Sequence, residues 1–417
     1  MTRFLPVCEP MLAGNELKYV TDAVSSGWIS SAGSYVAAFE RAFAEYCGVR
    51  HGIAVCNGTV ALHLSLRALG VGPGDEVIIP DFTMIASALA VCYCGAKPVF
   101  VDADPATWNM DITAVERRIT PATRGIMAVH IFGNPCDMDA LDQLAGRHGL
   151  WLMEDAAEAH GARHKGRMTG GLSRIAAFSF FANKNITTGE GGIVVTDDDE
   201  LAAACRYYKN MCFPLDAPRT YLHAHIGYNY RMSNLHAAIG LAQTERADAY
   251  TALRQAHGRQ YRERLAAIPG IRLQQDAPDG ENVHWMNGLV VTPEYGRTRE
   301  ELIGHLWEKG IDTRLFFNGM HRQPALKEFG CDCGGDYPVS DLLADNGFYL
   351  PSGSNLRAVG PGLRRHRRLC PLRRDHDCLW RLCALLRCAL SGQGLRGRSG
   401  FRPFLPGAPA GDALHVA

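Results

Sequence analysis

Apolar runs and amphipathic stretches alternate through the first 240 residues. HGIAVC (His51 to Cys56) has the continuous hydrophobicity of a buried strand. A helical pattern follows from Thr59 to Leu69, with Val60, Leu62, Leu64, Leu66 and Leu69 as its apolar content. DEVIIP (75–80) predicts a strand, Ile85 to Cys94 a helix and KPVFVD (97–102) a strand. GIMAVHIFG (125–133), WLMEDAA (151–157), AAFSFF (176–181) and GGIVVTD (191–197) predict further strands. Strands that are apolar throughout, with helices between them, predict an α/β fold: a mostly parallel central sheet covered on both faces. Ligands in such folds collect at the carboxyl ends of the strands. From Leu235 to Ala267 the pattern is that of one long, polar-faced helix. It leads into a smaller α+β unit with a strand from His284 to Val291, a helix from Thr298 to Lys309 and a strand from Ile311 to Phe317. The expected division is a large domain over 1–245, a small C-terminal domain over 246–356 and an atypical tail over 357–417.

Composition narrows the class. A chain of 417 residues, 47% hydrophobic and 21% charged, can bury a large core and is not disordered in bulk. Its 43 basic residues balance 43 acidic ones, so no whole-chain field favours nucleic acid or an anionic membrane. The uncharged stretch from Phe82 to Ala96 contains Thr, Ser and Gly and falls short of a membrane span. The first residues, MTRFLPVCEPM, lack the apolar run of a signal peptide, and a cytoplasmic location is expected. The 14 cysteines include two CxC pairs, Cys92/Cys94 and Cys331/Cys333, without His clusters of zinc-finger spacing. They read as buried thiols, and no metal site is expected.

Three segments carry chemistry. In CNGTVALHL (56–64) a strand turns through Asn57-Gly58-Thr59 into a helix, whose exposed N–H groups can hold an anion while Gly58 permits close approach. EDAAEAHG (154–161) delivers Asp155 at a strand end, with Glu158 one turn on. A carboxylate there can hold a cationic ring nitrogen. SFFANKNITTGEGG (179–192) places Lys184 in a loop of small and polar residues, where a lowered pKa would make it a Schiff-base nucleophile. Singly, each segment has a plainer reading: a capped helix, a first-turn acid and a solvated loop lysine.

Jointly, and in this order, the three segments resemble fold-type I enzymes dependent on pyridoxal 5'-phosphate (PLP). The surrounding words narrow the match. GWISSAG (27–33), NGTVALHL, PGDEVIIPDFTMIASA, EDAAEAHGA, SFFANKNITTGEGG, GYNYRMSNLHAAIG, IDTRLFFNGMHRQP and YLPSG (349–353) are similar to the DegT/DnrJ/EryC1/StrS family of sugar aminotransferases. The resemblance implies Lys184 as the cofactor lysine and Asp155 as the partner of the pyridinium nitrogen. It implies Glu158 facing the ring, where many relatives carry Gln, and a phosphate cup of Gly58, Thr59 and Ser179. Asn229 would reach the phosphate from a neighbouring subunit, so a homodimer with shared active sites is expected. Met84 stands where many relatives place an aromatic residue on the ring; a thioether can also pack on a π face. The implied reaction transfers an amino group from glutamate to the C4 keto group of a nucleotide-linked sugar. Relatives that dehydrate at C3 carry His in place of Lys184. The wording is most similar to the branch acting on GDP-4-keto-6-deoxymannose, with UDP- and dTDP-linked 4-keto sugars as the alternative. Trp28, Trp285 and Arg314 are candidates to line the nucleotide-sugar cleft, each also plausible as packing or surface structure. A PLP-binding member with a regulatory or inactive role is the competing function.

The tail is a different text. From Arg357 onward there is no Lys, Ile, Met, Tyr, Glu, Asn or Thr, and 12 Arg stand against three acidic residues. Residues 1–356 therefore hold 31 basic against 40 acidic residues, and the body is moderately acidic. A reading-frame slip in a GC-rich gene explains the missing residue types, since a shifted frame of such a gene rarely supplies AT-rich codons. One base of shift from Arg357 permits the reading ALSDRDFDAIVDSVRSA, a capped amphipathic helix of the sort with which relatives close. The competing reading is an Arg-rich surface for anionic lipid or nucleic acid. Resequencing around the codon for Leu356 decides between them.

Overall fold

A computed structural model describes residues 4–356, apart from 216 and 219. The readings placed on 357–417, namely the frame slip, the lost closing helix and the Arg-rich surface, lie outside the described residues. Nine strands fall in the first half of the chain: β1 (His51–Val55), β2 (Glu76–Pro80), β3 (Lys97–Val101), β4 (Thr123–Val129), β5 (Trp151–Asp155), β6 (Arg163–His164), β7 (Arg167–Met168), β8 (Ile175–Ser179) and β9 (Gly192–Thr196). Helices α1 (Glu16–Ser25), α2 (Ser34–Cys47), α3 (Gly58–Ala68), α4 (Ala86–Tyr93), α5 (Ile112–Arg117), α6 (Met138–Arg147) and α7 (Asp199–Lys209) accompany them. Seven strands form one sheet in the order β1-β9-β8-β5-β4-β2-β3. β3, β2, β4, β5 and β8 run parallel, and β9 runs antiparallel to both its neighbours.

The continuous apolar runs have a direct cause: both faces of the sheet are covered. Along β2, Val77 and Ile79 face one hydrophobic layer and Ile78 the other, all fully buried. The same alternation divides Met127 from Ile126 and Ala128 on β4, and Ala177 from Ala176 and Phe178 on β8. Helices α3, α4 and α7 cover the first face through Leu62, Leu64, Val91 and Leu201. On the other, Phe39 and Phe43 of α2 and Leu141 and Leu144 of α6 do so. Each such side chain contributes roughly 1.5–3 kcal/mol on burial. Seven of the ten described cysteines are buried, all ten as free thiols, which fits their reading as small hydrophobes.

The second half begins with α8 (Asn234–Thr244) and α9 (Ala247–Leu265). They correct the single helix expected over Leu235 to Ala267. The chain bends at Glu245 and Arg246, where the Glu245 carboxylate accepts hydrogen bonds from Asn15 (2.7 Å) and the Tyr19 hydroxyl (2.6 Å) next to α1. A four-stranded antiparallel sheet follows in the order β10-β12-β14-β13, built from β10 (Ile271–Leu273), β12 (Asn287–Val291), β13 (Arg314–Leu315) and β14 (Gly347–Leu350). The short β11 (Gly280–Glu281) pairs with β6 instead. Tyr261 and Leu265 of α9 and Leu302 and Leu306 of α10 (Arg299–Glu308) pack on this sheet. A capping box between Thr298 and Glu301 starts α10, and α11 (Pro324–Phe329) and α12 (Pro338–Asn346) complete the helices.

Three strands are shorter than their hydrophobic runs. GIMAVHIFG leaves the sheet after Val129 and turns through Phe132 at φ 58°. The run from His284 joins the ladder at Asn287, because His284 takes φ 49° and the Trp285 N–H bonds the Phe132 carbonyl (2.8 Å). The run from Ile311 pairs with β14 at Arg314 and Leu315, its first residues being engaged by the N-terminal segment through Leu5.

Candidate active site

Parallel strands put their carboxyl ends at one edge, so β2, β4, β5 and β8 present Asp81, His130, Asp155 and Ser179 together. β1 adds the turn into α3. There the Asn57 side chain accepts the Val60 N–H (3.0 Å) and caps the helix. A Cβ on Gly58 would lie 2.6 Å from the Ser179 Cβ, and one on Gly192 would lie 2.4 Å from the Asn57 carbonyl oxygen. Glycine is therefore required for the α3 start to sit against the end of β8. Gly58 and Thr59 in the first turn of α3 and the Ser179 hydroxyl form one small cradle. A helix N-terminus in that setting suits a phosphate.

Asp155 is buried and anchored. Its Oδ2 accepts from the Ser87 hydroxyl (2.7 Å) and its Oδ1 from the Ala157 N–H (3.2 Å). Burial raises its pKa, while those two bonds and the positive charge of Lys184 oppose the rise. Glu158 is buried too, with Oε2 accepting the Phe132 N–H (2.8 Å). Burial pushes its carboxyl up to about 7, against the pull of Lys184. Lys184 is partly buried in the loop after β8, and desolvation lowers its pKa while Glu158 and Asp155 act to raise it. Two acids displaced upward face a lysine displaced downward. That is the electrostatic pattern of a nucleophilic amine kept reactive near neutral pH.

Residues from the second half of the chain reach this edge. Trp285, 4% exposed, lies with its ring centroid 3.8 Å from the Lys184 Nζ, and its indole N–H donates to the Asn183 carbonyl (2.9 Å). Arg254 of α9 is fully buried; it donates to the Ser354 hydroxyl (2.8 Å), the Trp285 carbonyl (2.8 Å), the Ser352 carbonyl and the Cys8 sulfur (3.4 Å). Asp81 accepts from both the N–H and the ring Nδ1 of His321, each at 2.8 Å, and ties the end of β2 to the segment before α11.

The remaining sequence candidates have contacts of their own. Met84 is 47% exposed, its sulfur accepting the Ala86 N–H (3.1 Å). Asn229 is exposed on a segment paired with Asn210; its sequence neighbours Tyr228 and Tyr230 stack on each other. Trp28 is exposed, its carbonyl bound by Asn234 (2.5 Å). Arg314 points to solvent and pairs with Asp312 (2.5 Å). Ser87, Phe132 and Asp81 were missed as contributors. Ser87 stood in the motif PDFTMIASA, but nothing in its spacing announces a bond to Asp155, 68 residues away.

The glycine-lined start of α3 beside Ser179, a buried carboxylate and a poised lysine are residues that fit PLP. Fold and site together define a PLP-dependent aminotransferase of fold type I. The sequence profile of the DegT/DnrJ/EryC1/StrS aminotransferase family matches residues 10–358, and the chain belongs to that family. It is 45% identical over 354 residues to GDP-perosamine synthase of Caulobacter vibrioides, covering 84% of this chain and 94% of the relative. It is 40% identical over 358 residues to dTDP-3-amino-3,4,6-trideoxy-alpha-D-glucose transaminase of Streptomyces venezuelae, covering 84% and 92%. The crystal structure of S. venezuelae DesV superposes with a TM-score of 0.82 at 36% identity, covering 93% of this chain and 99% of that one.

Proposed function

We propose that this protein transfers the amino group of glutamate to C4 of GDP-4-keto-6-deoxymannose, forming GDP-perosamine. The observation that carries the reading is the placement of Lys184 among Asp155, Glu158 and the Gly58–Ser179 cradle, in a chain 45% identical to a GDP-perosamine synthase. PLP, when bound, supplies an electron sink for the pair left when a proton departs the carbon bearing the amine. Asp155, whose anionic form the Ser87 hydroxyl and the Ala157 N–H favour, would hold the ring nitrogen protonated. Gly58, Thr59 and Ser179 would hold the phosphate, and Met84 and Glu158 would face the ring. The free amine of Lys184 takes a proton from the α carbon of glutamate in the first half of the cycle and delivers one to C4 of the sugar in the second. Asn229, exposed on its segment, belongs to the site of the partner in a homodimer. On this reading the cleft would lie between domains 1–245 and 246–356, with O-antigen assembly in the cytoplasm as the expected setting.

The test incubates purified protein with PLP, glutamate and GDP-, UDP- or dTDP-linked 4-keto-6-deoxy sugar, followed by mass spectrometry. An amino sugar from the GDP substrate is expected. Turnover with the dTDP substrate instead would favour the second reading, which the 40% identity to the S. venezuelae transaminase supports. No product from any acceptor, with the Lys184-dependent absorbance band intact, would leave the non-catalytic reading standing.

A further inference from the structure

The Lys184 amine has two carboxylates for neighbours, yet among the described residues it forms no ion pair with either within 4.0 Å. Its closest described partner is an aromatic face. The Trp285 ring centroid lies 3.8 Å from Nζ, well inside the ~6 Å reach of a cation–π contact. Two anchors fix that ring. Its N–H donates to the carbonyl of Asn183, the residue directly before Lys184, so the indole is registered to the lysine's own backbone. The backbone of Trp285 is held as well, its carbonyl accepting from the buried Arg254 guanidinium and its amide N–H donating to the carbonyl of Phe132, whose own N–H binds Glu158. The indole is thus a rigid plate between the two domains, set under the amine by bonds that do not involve the amine.

We propose that Trp285 is a positioning residue for Lys184, its indole face holding the ammonium whenever that amine is not bonded to the cofactor. The proposal rests on Lys184 being the cofactor lysine. A π face suits this task better than a carboxylate. It attracts the cation without accepting a hydrogen bond directed at one atom, so the amine stays registered and yet free to leave. Ammonium on indole also opposes desolvation, which otherwise lowers the proton affinity of this lysine. The other groups facing it are Glu158, Asp155 and His160 after β5, Cys8 of the N-terminal segment and, through Cys8, Arg254 of α9. These groups lie on other segments, and Trp285→Phe and Trp285→Leu both lose the indole N–H, so the difference between those two variants reports the ring face.

The experiment uses cofactor-free protein. Lysines are reductively methylated with 13C-formaldehyde and followed by NMR, the Lys184 signal being assigned by its loss in Lys184→Arg. An upfield, ring-shifted Lys184 signal is expected in the parent protein. Trp285→Leu should remove that displacement and lower the Lys184 pKa by about one unit, while Trp285→Phe, which keeps a π face, should retain part of both. A Lys184 signal at the position of the other lysines in the parent protein overturns the proposal. So does a pKa that stays put in Trp285→Leu. If Trp285→Leu fails to fold, the parent signal and Trp285→Phe still decide. Failure of the underlying reading shows elsewhere: PLP would give its absorbance band with Lys184→Ala as well.

Discussion

Ser87→Ala is a small change with a large expected consequence. The Ser87 hydroxyl gives Asp155 its shortest hydrogen bond, 2.7 Å to Oδ2, in a fully buried setting. One backbone donor, the Ala157 N–H at 3.2 Å, remains after the substitution. A hydrogen bond to a charged group contributes about 1.5–3 kcal/mol, and 1.36 kcal/mol corresponds to one pKa unit. Asp155 already titrates above its ordinary value because it is buried, so losing this donor raises it by a further one to two units, roughly. Only the anion can hold a ring nitrogen protonated, and activity is lost as pH falls through the Asp155 pKa. The acid limb of kcat/KM should therefore move to higher pH by the same one to two units, with a loss of about 10- to 100-fold on the acid side. Steady-state kinetics from pH 5 to 9, with circular dichroism to confirm folding, make the measurement. A variant within twofold of the parent across that range, with an unmoved acid limb, would refute the reasoning.

Gly58→Ala places a Cβ 2.6 Å from the Ser179 Cβ, a contact that backbone must relieve. A loss of about 1–3 kcal/mol in stability and at least a tenfold weaker hold on PLP are expected, checked by thermal melts and cofactor titration. Glu158 carries a pKa of about 7 in the fold against an ordinary value of 4.5. A raised acid pKa favours the fold at low pH, and that contribution is lost as pH rises through 7. In cofactor-free protein, the melting temperature of Glu158→Gln minus that of the parent should grow between pH 5 and 8; a constant difference would contradict the assignment. Arg254→Met leaves the Trp285 and Ser352 carbonyls and the Ser354 hydroxyl without their buried donor. A cost of about 3 kcal/mol or more is expected, read as a lowered urea midpoint.

The sheet was legible because its cause is local. A strand covered on both faces must be apolar at every position, and HGIAVC, DEVIIP and GGIVVTD announce themselves for that reason. Parallel order then gathers the strand ends, which is why Asp155, Ser179 and the loop of Lys184 could be expected to meet before their distances were known. What was hidden depends on partners distant in sequence. GIMAVHIFG has the hydrophobicity of one strand, yet Phe132 leaves the sheet to give its N–H to Glu158 and its carbonyl to Trp285. Trp285 was a candidate for the sugar cleft and also plausible as packing. In the fold, 102 residues separate its indole N–H from the Asn183 carbonyl it meets. Arg314, another candidate for that cleft, pairs with Asp312 two residues earlier. Local pattern therefore determines which chemistry-bearing residues reach the strand ends. The contacts that set their pKa values come from residues distant in sequence, Ser87 and Lys184 for Asp155 and Phe132 for Glu158, and no spacing within a motif announces them.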